Sequence, residues 1–323
     1  MNNLKILIED LKKNTNSVYI QCHDYPDPDA VSSAFGLQYT FSEMGLKSLL
    51  IHEGHIQRDA LRNMISHLNI NLRHASEYDL NDNDKIVIVD ACLGNKNITN
   101  LVGDEIAIVD HHQLNKNSKI EDVGYVDIRG QYGACSTIIF EYLTGLEIDI
   151  PKDIATALQI GILIDTAGLT RSSCPKDIDA YSELHKIADM EYVNETLRNN
   201  IQKSDLKNFT EAIEKATFSG QAAFYYFNNG CSQNLMGIIG DFLLSLHEIK
   251  FVCLCARNTE TVNISVRSEE PDWNASLIIQ NALKGVGYGG GHAHMAGGEF
   301  SDLSKFDKKS FFKKIENLLI SFN

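Results

Sequence analysis

Four short stretches hold the residues whose types and spacing could do chemistry. They are His23-Asp24-Tyr25-Pro26-Asp27-Pro28-Asp29, a lone Asp90, Asp110-His111-His112, and Asp165. If the fold brings them together, their carboxylates repel one another unless cations sit among them. Asp27, Asp29, Asp90 and Asp165, ionised, would balance two divalent ions. Asp27 and Asp29 straddle Pro28, which stiffens the loop so that they can face different ions, and Asp90 is the natural bridging ligand. His23 and His111 would add one nitrogen to each ion. Carboxylate and imidazole donors without thiolate suit manganese, iron or magnesium better than structural zinc. Two such ions about 3.5–4 Å apart activate a water and polarise a phosphate.

Each stretch has a plainer reading when taken alone. Pro-Asp-Pro-Asp also makes a turn, with Asp29 capping a helix that begins at Ala30. Asp90 could be a loop acid, and a His-His pair is commonly solvated. Asp165 would sit at a helix end, where an acid opposes the dipole. What joins the four is position. Residues 18–23, 85–91 and 105–112 are Val/Ile-rich runs that read as buried strands. Helical patterns cover 30–44 (with Gly45 as a stop), 56–68 and 134–143. Residues 160–166 end a helix that starts after Pro151. Strands alternating with helices imply an α/β fold with a doubly wound, mainly parallel sheet. Ligands in such a sheet bind beyond the carboxyl ends of the strands, where three of the four stretches lie.

The second half has another character. Runs 221–227, 250–257 and 261–268 alternate like half-buried strands, the last two joined as a hairpin through 258–260. Helical runs 233–247, 273–284 and 305–320 would cover them, giving a smaller α/β domain with a mixed sheet. The expected division is a first domain over 1–185, a helical connector over 186–216 and a second domain over 217–323. Arg267-Ser268, at a strand end, could clamp a phosphate or be surface. The segment GYGGGHAHMAGG (287–298) is a flexible loop on one reading. On another, the bare amides of Gly289, Gly290 and Gly291 approach a phosphate, with His292 completing an anion cradle. His294 reads as packed or exposed, and Trp273 as core.

Taken in order, the motifs resemble those of a known family. His-x-x-Pro-Asp-x-Asp-Ala at 23–30, the isolated Asp90, Asp-His-His at 110–112 and Asp-Thr at 165–166 look like the four motifs of the DHH phosphoesterases. Gly289-Gly290-Gly291-His292 with Ala296-Gly297-Gly298 resembles the DHH-associated substrate domain. In size and domain pairing the chain is most similar to nanoRNase, pAp-phosphatase and cyclic-dinucleotide-linked members. The resemblance implies His23, Asp27 and Asp90 on one manganese, and Asp29, Asp90, His111 and Asp165 on the other. It implies His112 facing the scissile phosphate and Asp110 orienting an imidazole. It also implies Arg267 and His292 holding the substrate. The fourth motif departs from the pattern Asp-Thr-Gly-x-Phe, reading Asp165-Thr166-Ala167-Gly168-Leu169.

Composition narrows the partners. The 323 residues carry a net charge of −14, which argues against coating long nucleic acid through a basic surface. No apolar run is long enough to span a membrane. The seven cysteines are scattered without a CxxC, so a reducing cytoplasm is expected. Together these readings describe a manganese-dependent phosphodiesterase, with magnesium, cobalt or iron as other metals. It would hydrolyse short oligonucleotides or linear dinucleotides of the pGpG or pApA type to nucleoside monophosphates, through a hydroxide bridging two metals. The alternatives are a pAp 3′-phosphatase, a polyphosphate-type phosphatase and a nucleotide-binding regulatory protein. No long nucleic acid or membrane partner is expected, and a homodimer is allowed.

Overall fold

The Val/Ile runs of the first half become strands, each with one face to a helical layer. The computed structural model describes residues 2–14, 18–56, 59–95, 97–114, 118–198 and 201–322. The chain divides into two compact units, 1–200 and 201–323.

The first unit runs α1 (Asn2–Asn14), β1 (Val18–Gln21), α2 (Pro28–Glu43), β2 (Ser48–His52), α3 (Asp59–His67), β3 (Leu72–His74), β4 (Lys85–Val89), β5 (Asp104–Asp110), β6 (Tyr125–Ile128), α4 (Cys135–Gly145), α5 (Lys152–Asp165), α6 (Pro175–His185) and α7 (Met190–Arg198). Its six strands pair in parallel in the order β3-β2-β1-β4-β5-β6. Val18, Ile20, Val87, Val89, Ala107 and Val109 face one core, closed by helices including α1, α2, α4 and α5. The alternate residues Tyr19, Ile86, Ile88 and Ile108 face the other, which is covered by the 3-10 turn Ala75–Glu77 and the irregular connections after β4 and β5. The period of two along each strand therefore sorts side chains between two layers. The helix expected over 56–68 is described from Asp59, and residues 57 and 58 lie outside the described set.

The second unit runs α8 (Leu206–Lys215), β7 (Thr217–Ser219), β8 (Ala222–Phe227), α9 (Gln233–Leu244), β9 (Phe251–Arg257), β10 (Val262–Ser268), α10 (Ala275–Leu283), β11 (Gly287–Gly291), β12 (Met295–Phe300) and α11 (Lys308–Ser321). Its sheet has the order β11-β12-β10-β9-β8-β7 and is mixed, because β8 and β9 are parallel while the other pairs are antiparallel. Cys253 and Cys255 share one face of β9 and pack in the core there, beside Trp273. The span expected to connect the domains is shared between them. Val193 of α7 packs in the first unit's core, and Ala212 of α8 packs in the second's. Among the described residues no helix is long and apolar enough to cross a membrane.

Candidate metal centre

β1 delivers His23, which is buried, and the chain then turns into α2. Asp27, not Asp29, caps that helix: its Oδ1 accepts the backbone N–H groups of Asp29 and Ala30, both at 3.0 Å. Pro28 takes the first helical position, where its missing N–H costs nothing. Asp29 is thereby the second residue of the helix and is wholly buried. Its carboxylate accepts from the backbone N–H of Cys135 (2.6 Å) and of Ser136 (2.9 Å) at the start of α4, a place that favours negative charge.

Asp90 follows β4 directly. It is in the left-handed region, at φ 60°, with its N–H bonded to Val109 O (2.9 Å). A non-glycine residue held there stores strain that the surroundings must impose. Asp110 ends β5 and is buried. Its Oδ1 accepts from the His112 backbone N–H (3.0 Å) and from His112 Nδ1–H (2.8 Å). His111 Nδ1 donates to Tyr132 O (3.1 Å), which turns Nε2 toward the acids. Asp165 is the last residue of α5.

The fold thus gathers every residue of the four stretches assigned as a ligand. His23 Nε2 lies 3.9 Å from both Asp27 Oδ2 and Asp90 Oδ2. His111 Nε2 lies 3.2 Å from Asp165 Oδ2, 3.4 Å from Asp90 Oδ1 and 4.0 Å from Asp29 Oδ2. Three overlapping groups have the spacing of metal ligands: His23, Asp27 and Asp90; Asp29, His111 and Asp165; and Asp90, His111 and His112. Asp90 stands between the imidazoles, one oxygen toward each.

The electrostatics fit divalent cations. Burial and then Asp165 push the Asp29 carboxyl up to about 7. Burial and the charge of Asp29 push Asp90 well above the usual carboxylate range. Burial lowers His23. Burial alone would also depress His111, but its bond to Asp165 and the charges of Asp165, Asp29 and Asp110 lift it to about 10. Asp110 shows the reverse balance: burial would raise it, and the hydrogen bond and charge of His112 hold it low. Asp90 Oδ1 and His23 Nδ1 are buried without a hydrogen-bond partner, and an unpaired buried acceptor is costly. Hard cations with oxygen and imidazole ligands match this donor set.

In the second unit, Arg267 and Ser268 end β10, and Gly289–Gly291 form part of β11 rather than a flexible loop. Arg267 is nearly buried. It donates Nε to Asp241 Oδ1 (3.0 Å) and Nη1 to Val266 O (3.0 Å), over Gly237 and Gly240 of α9. Ser268 is buried, and its N–H bonds His294 O at 2.9 Å. His292 N–H bonds Met295 O (2.7 Å), closing the β11–β12 hairpin. With Ser301 N–H on Val286 O, that bond makes the even-numbered residues of β11 the hydrogen-bonded ones. The amides of Gly289 and Gly291 therefore point away from β12, at the outer strand of the sheet. Arg267 pairs with Met295 across the ladder, so these groups share one end of the sheet.

Residues 17–162 match the DHH family N-terminal domain, and residues 219–320 match the DHHA1 domain. The chain carries a DHH domain followed by a DHHA1 domain. It is 27% identical to an uncharacterized protein of Methanocaldococcus jannaschii, over 93% of this chain and 62% of that one. It is 25% identical to the cyclic-di-AMP phosphodiesterase GdpP of Bacillus subtilis, over 92% of this chain and 47% of that one. A probable manganese-dependent inorganic pyrophosphatase of Enterococcus faecalis is 26% identical over 53% of this chain and 54% of its own. The chain thus spans roughly half to two thirds of the length of these relatives. Among solved structures, an exopolyphosphatase-related protein from Bacteroides fragilis superposes with a TM-score of 0.78 at 19% identity, covering 100% of this chain and 97% of that one.

Several residues of the first unit that build the centre carry no signal of the kind the four stretches do. Gly161, one turn before Asp165, lets α5 approach α2: a Cβ there would strike Ser136 Oγ and lie 2.8 Å from Asp29 Oδ1. Asp177 is buried and accepts from Gly133 N–H (2.9 Å), Thr137 Oγ1 (2.6 Å) and Cys174 N–H (2.7 Å), tying α6 to the start of α4. Arg129 holds Asp127 with two bonds of 2.8 Å and also bonds Glu141 and Tyr132. It thereby braces the turn whose Tyr132 carbonyl orients His111. Glycine inside an apolar helix was a signal for the first of these. A backbone carbonyl leaves none. After Asp165, Ala167, Leu169 and Ser172 all have positive φ, so the departure from the family's fourth motif coincides with a tightly coiled segment.

Proposed function

We propose that this chain is a manganese-dependent phosphohydrolase that cleaves short oligonucleotides or linear dinucleotides to nucleoside monophosphates. The observation that carries it is the shared Asp90, set between two ligand groups whose acids, when ionised, repel one another unless cations sit among them. His23, Asp27 and Asp90 would hold one ion, and Asp29, Asp90, His111 and Asp165 the other. When bound, two such ions supply an activated water and neutralise charge on a phosphate. The manganese-dependent and phosphodiesterase relatives support the choice of metal and reaction.

The chain's own groups divide the remaining tasks. His112 donates its Nδ1–H to the Asp110 carboxylate and is one-third exposed, and its imidazole would hydrogen-bond a phosphate or leaving oxygen. Tyr132 O fixes the His111 tautomer that offers Nε2 as a ligand. We assign the hold on the nucleotide to Arg267, Ser268, Gly289, Gly291 and His292, supported by the outward amides of Gly289 and Gly291 and the common sheet end; the amide expected of Gly290 is instead turned into the ladder with β12. Seven free cysteines fit a reducing cytoplasm.

The test is turnover by manganese-loaded protein of pNpN dinucleotides, pAp and polyphosphate in parallel. Release of monophosphates from dinucleotides, abolished by chelation, is expected. Faster turnover of pAp or polyphosphate overturns the substrate assignment. Full metal occupancy with no hydrolysis of any of the three overturns the enzymatic reading.

A further inference from the structure

The metal loop contains one residue that its surroundings do not explain. From Val18 to Phe41 every residue is buried or half-buried except Tyr25, which is 52% exposed. It sits two residues from His23 and two from Asp27, between ligands of the same group. An aromatic ring left in water costs apolar burial, and a locally unfavourable choice inside a functional segment is where a ligand contact is expected.

The backbone on either side of Tyr25 is held in place. Asp24 N–H bonds Asn97 O (2.7 Å), and the Asp24 carboxylate accepts from Thr99 N–H and Thr99 Oγ1, both at 2.9 Å. A Cβ at Gly54 would strike the Asp24 carbonyl, so the segment after β2 lies against the same point. Pro26 is buried, and Asp27 is fixed as the helix cap. The ring therefore has little backbone freedom to lose on binding, which is what makes an aromatic side chain an efficient stacking surface. Tyr25 is two residues along the chain from a candidate ligand on either side, and on the nucleotide reading the flat apolar partner such a ring would meet is a nucleobase.

We propose that Tyr25 is a base-stacking platform, binding the base of the nucleotide whose phosphate the metals engage. The assignment rests on the nucleotide reading above. It makes Tyr25 a determinant of specificity for substrates that carry a base, over those that offer phosphate alone.

The experiment measures kcat/KM for wild type, Tyr25→Ala, Tyr25→Phe and Tyr25→Trp with manganese. The substrates are a pNpN dinucleotide and its abasic counterpart, which keeps the sugar–phosphate backbone without bases. Wild type should prefer the dinucleotide, and Tyr25→Ala should erase most of that preference, by about 5- to 100-fold. Phe and Trp should retain it, and manganese content should match wild type in all three. Loss in Tyr25→Phe equal to that in Tyr25→Ala would assign the role to the hydroxyl and overturn stacking. Equal decline on both substrates would do the same, because the residue would then be shaping the metal loop. Dinucleotide turnover with an unaltered preference in Tyr25→Ala overturns this inference alone. A wild-type chain that cleaves pyrophosphate and no nucleotide overturns the functional reading, and this inference with it.

Discussion

Asp90 offers each of its oxygens to a different imidazole, Oδ2 toward His23 and Oδ1 toward His111. Asn tolerates the left-handed backbone of this position, so Asp90→Asn removes the charge without adding strain. That variant should lose most of its affinity for both ions together. Metal analysis still finding two ions per chain would refute the bridge. The adjacent histidines should separate. His111→Ala removes a group aimed at the acids and should impair loading, whereas His112→Ala should load normally and turn over more slowly, because its Nδ1 is occupied by Asp110. Similar metal loss in both variants would contradict the division. At this scale much was legible, because acids and histidines placed after buried strands advertise themselves. Asp177, Arg129 and the Tyr132 carbonyl were not. They act by holding backbone in place, and nothing in a residue's type announces which peptide it will meet.

Among the elements, the close passage of α5 over α2 sets where Asp165 and Asp29 can stand. Gly161 permits it, with Asp29 Cα only 3.2 Å from where its Cβ would be. Gly161→Ala should destabilise the chain by about 1–3 kcal/mol, as overpacking of a tight contact does. It should also weaken metal binding by displacing the Asp29 carboxylate. Denaturant melts and a manganese titration measure the two effects, and a stability loss with unaltered affinity would show the carboxylate to be indifferent to that gap. The elements were read from the sequence with uneven success. Val/Ile-rich runs of strand length mark β1, β4 and β5, and the Pro151 start marks α5. The glycine-rich hairpin β11–β12 was not seen as strand, because glycine supplies no alternating pattern and its pairing with β10 is a long-range fact.

For the molecule as a whole, metal and protons compete for the same atoms. Without metal, folded Asp29 keeps its proton up to about 7, while an unfolded aspartate releases it near 3.8. The folded state thus holds the extra proton between those values, and this contribution to stability falls as pH rises through them. His111, lifted from 6.5 to about 10, stabilises the metal-free fold below 6.5 and loses that contribution as pH rises toward 10. Both signs agree. Metal must expel these protons, so the rise in Tm on adding manganese should grow from about pH 5.5 to pH 8, with proton release measurable in weak buffer. A shift independent of pH would mean that the acids are already ionised without metal. In the second unit, Arg267→Ala and His292→Ala should keep full metal content and lose about 10- to 100-fold in kcat/KM on dinucleotides, the scale of one or two charge-assisted hydrogen bonds. Bis-p-nitrophenyl phosphate, which lacks a remote group to hold, should suffer less, and equal losses would remove the second unit from substrate binding. The double employment of some proposed ligands has a consequence for descent. Asp27 also caps α2, and Asp29 also anchors the start of α4, so a lineage that abandoned catalysis would still gain stability from both acids, about 0.5–2 kcal/mol for the cap alone. Their survival in a distant sequence says little about activity. His23 and Asp90, whose buried Nδ1 and Oδ1 satisfy no hydrogen bond, are under no such protection, and disuse would be written there first.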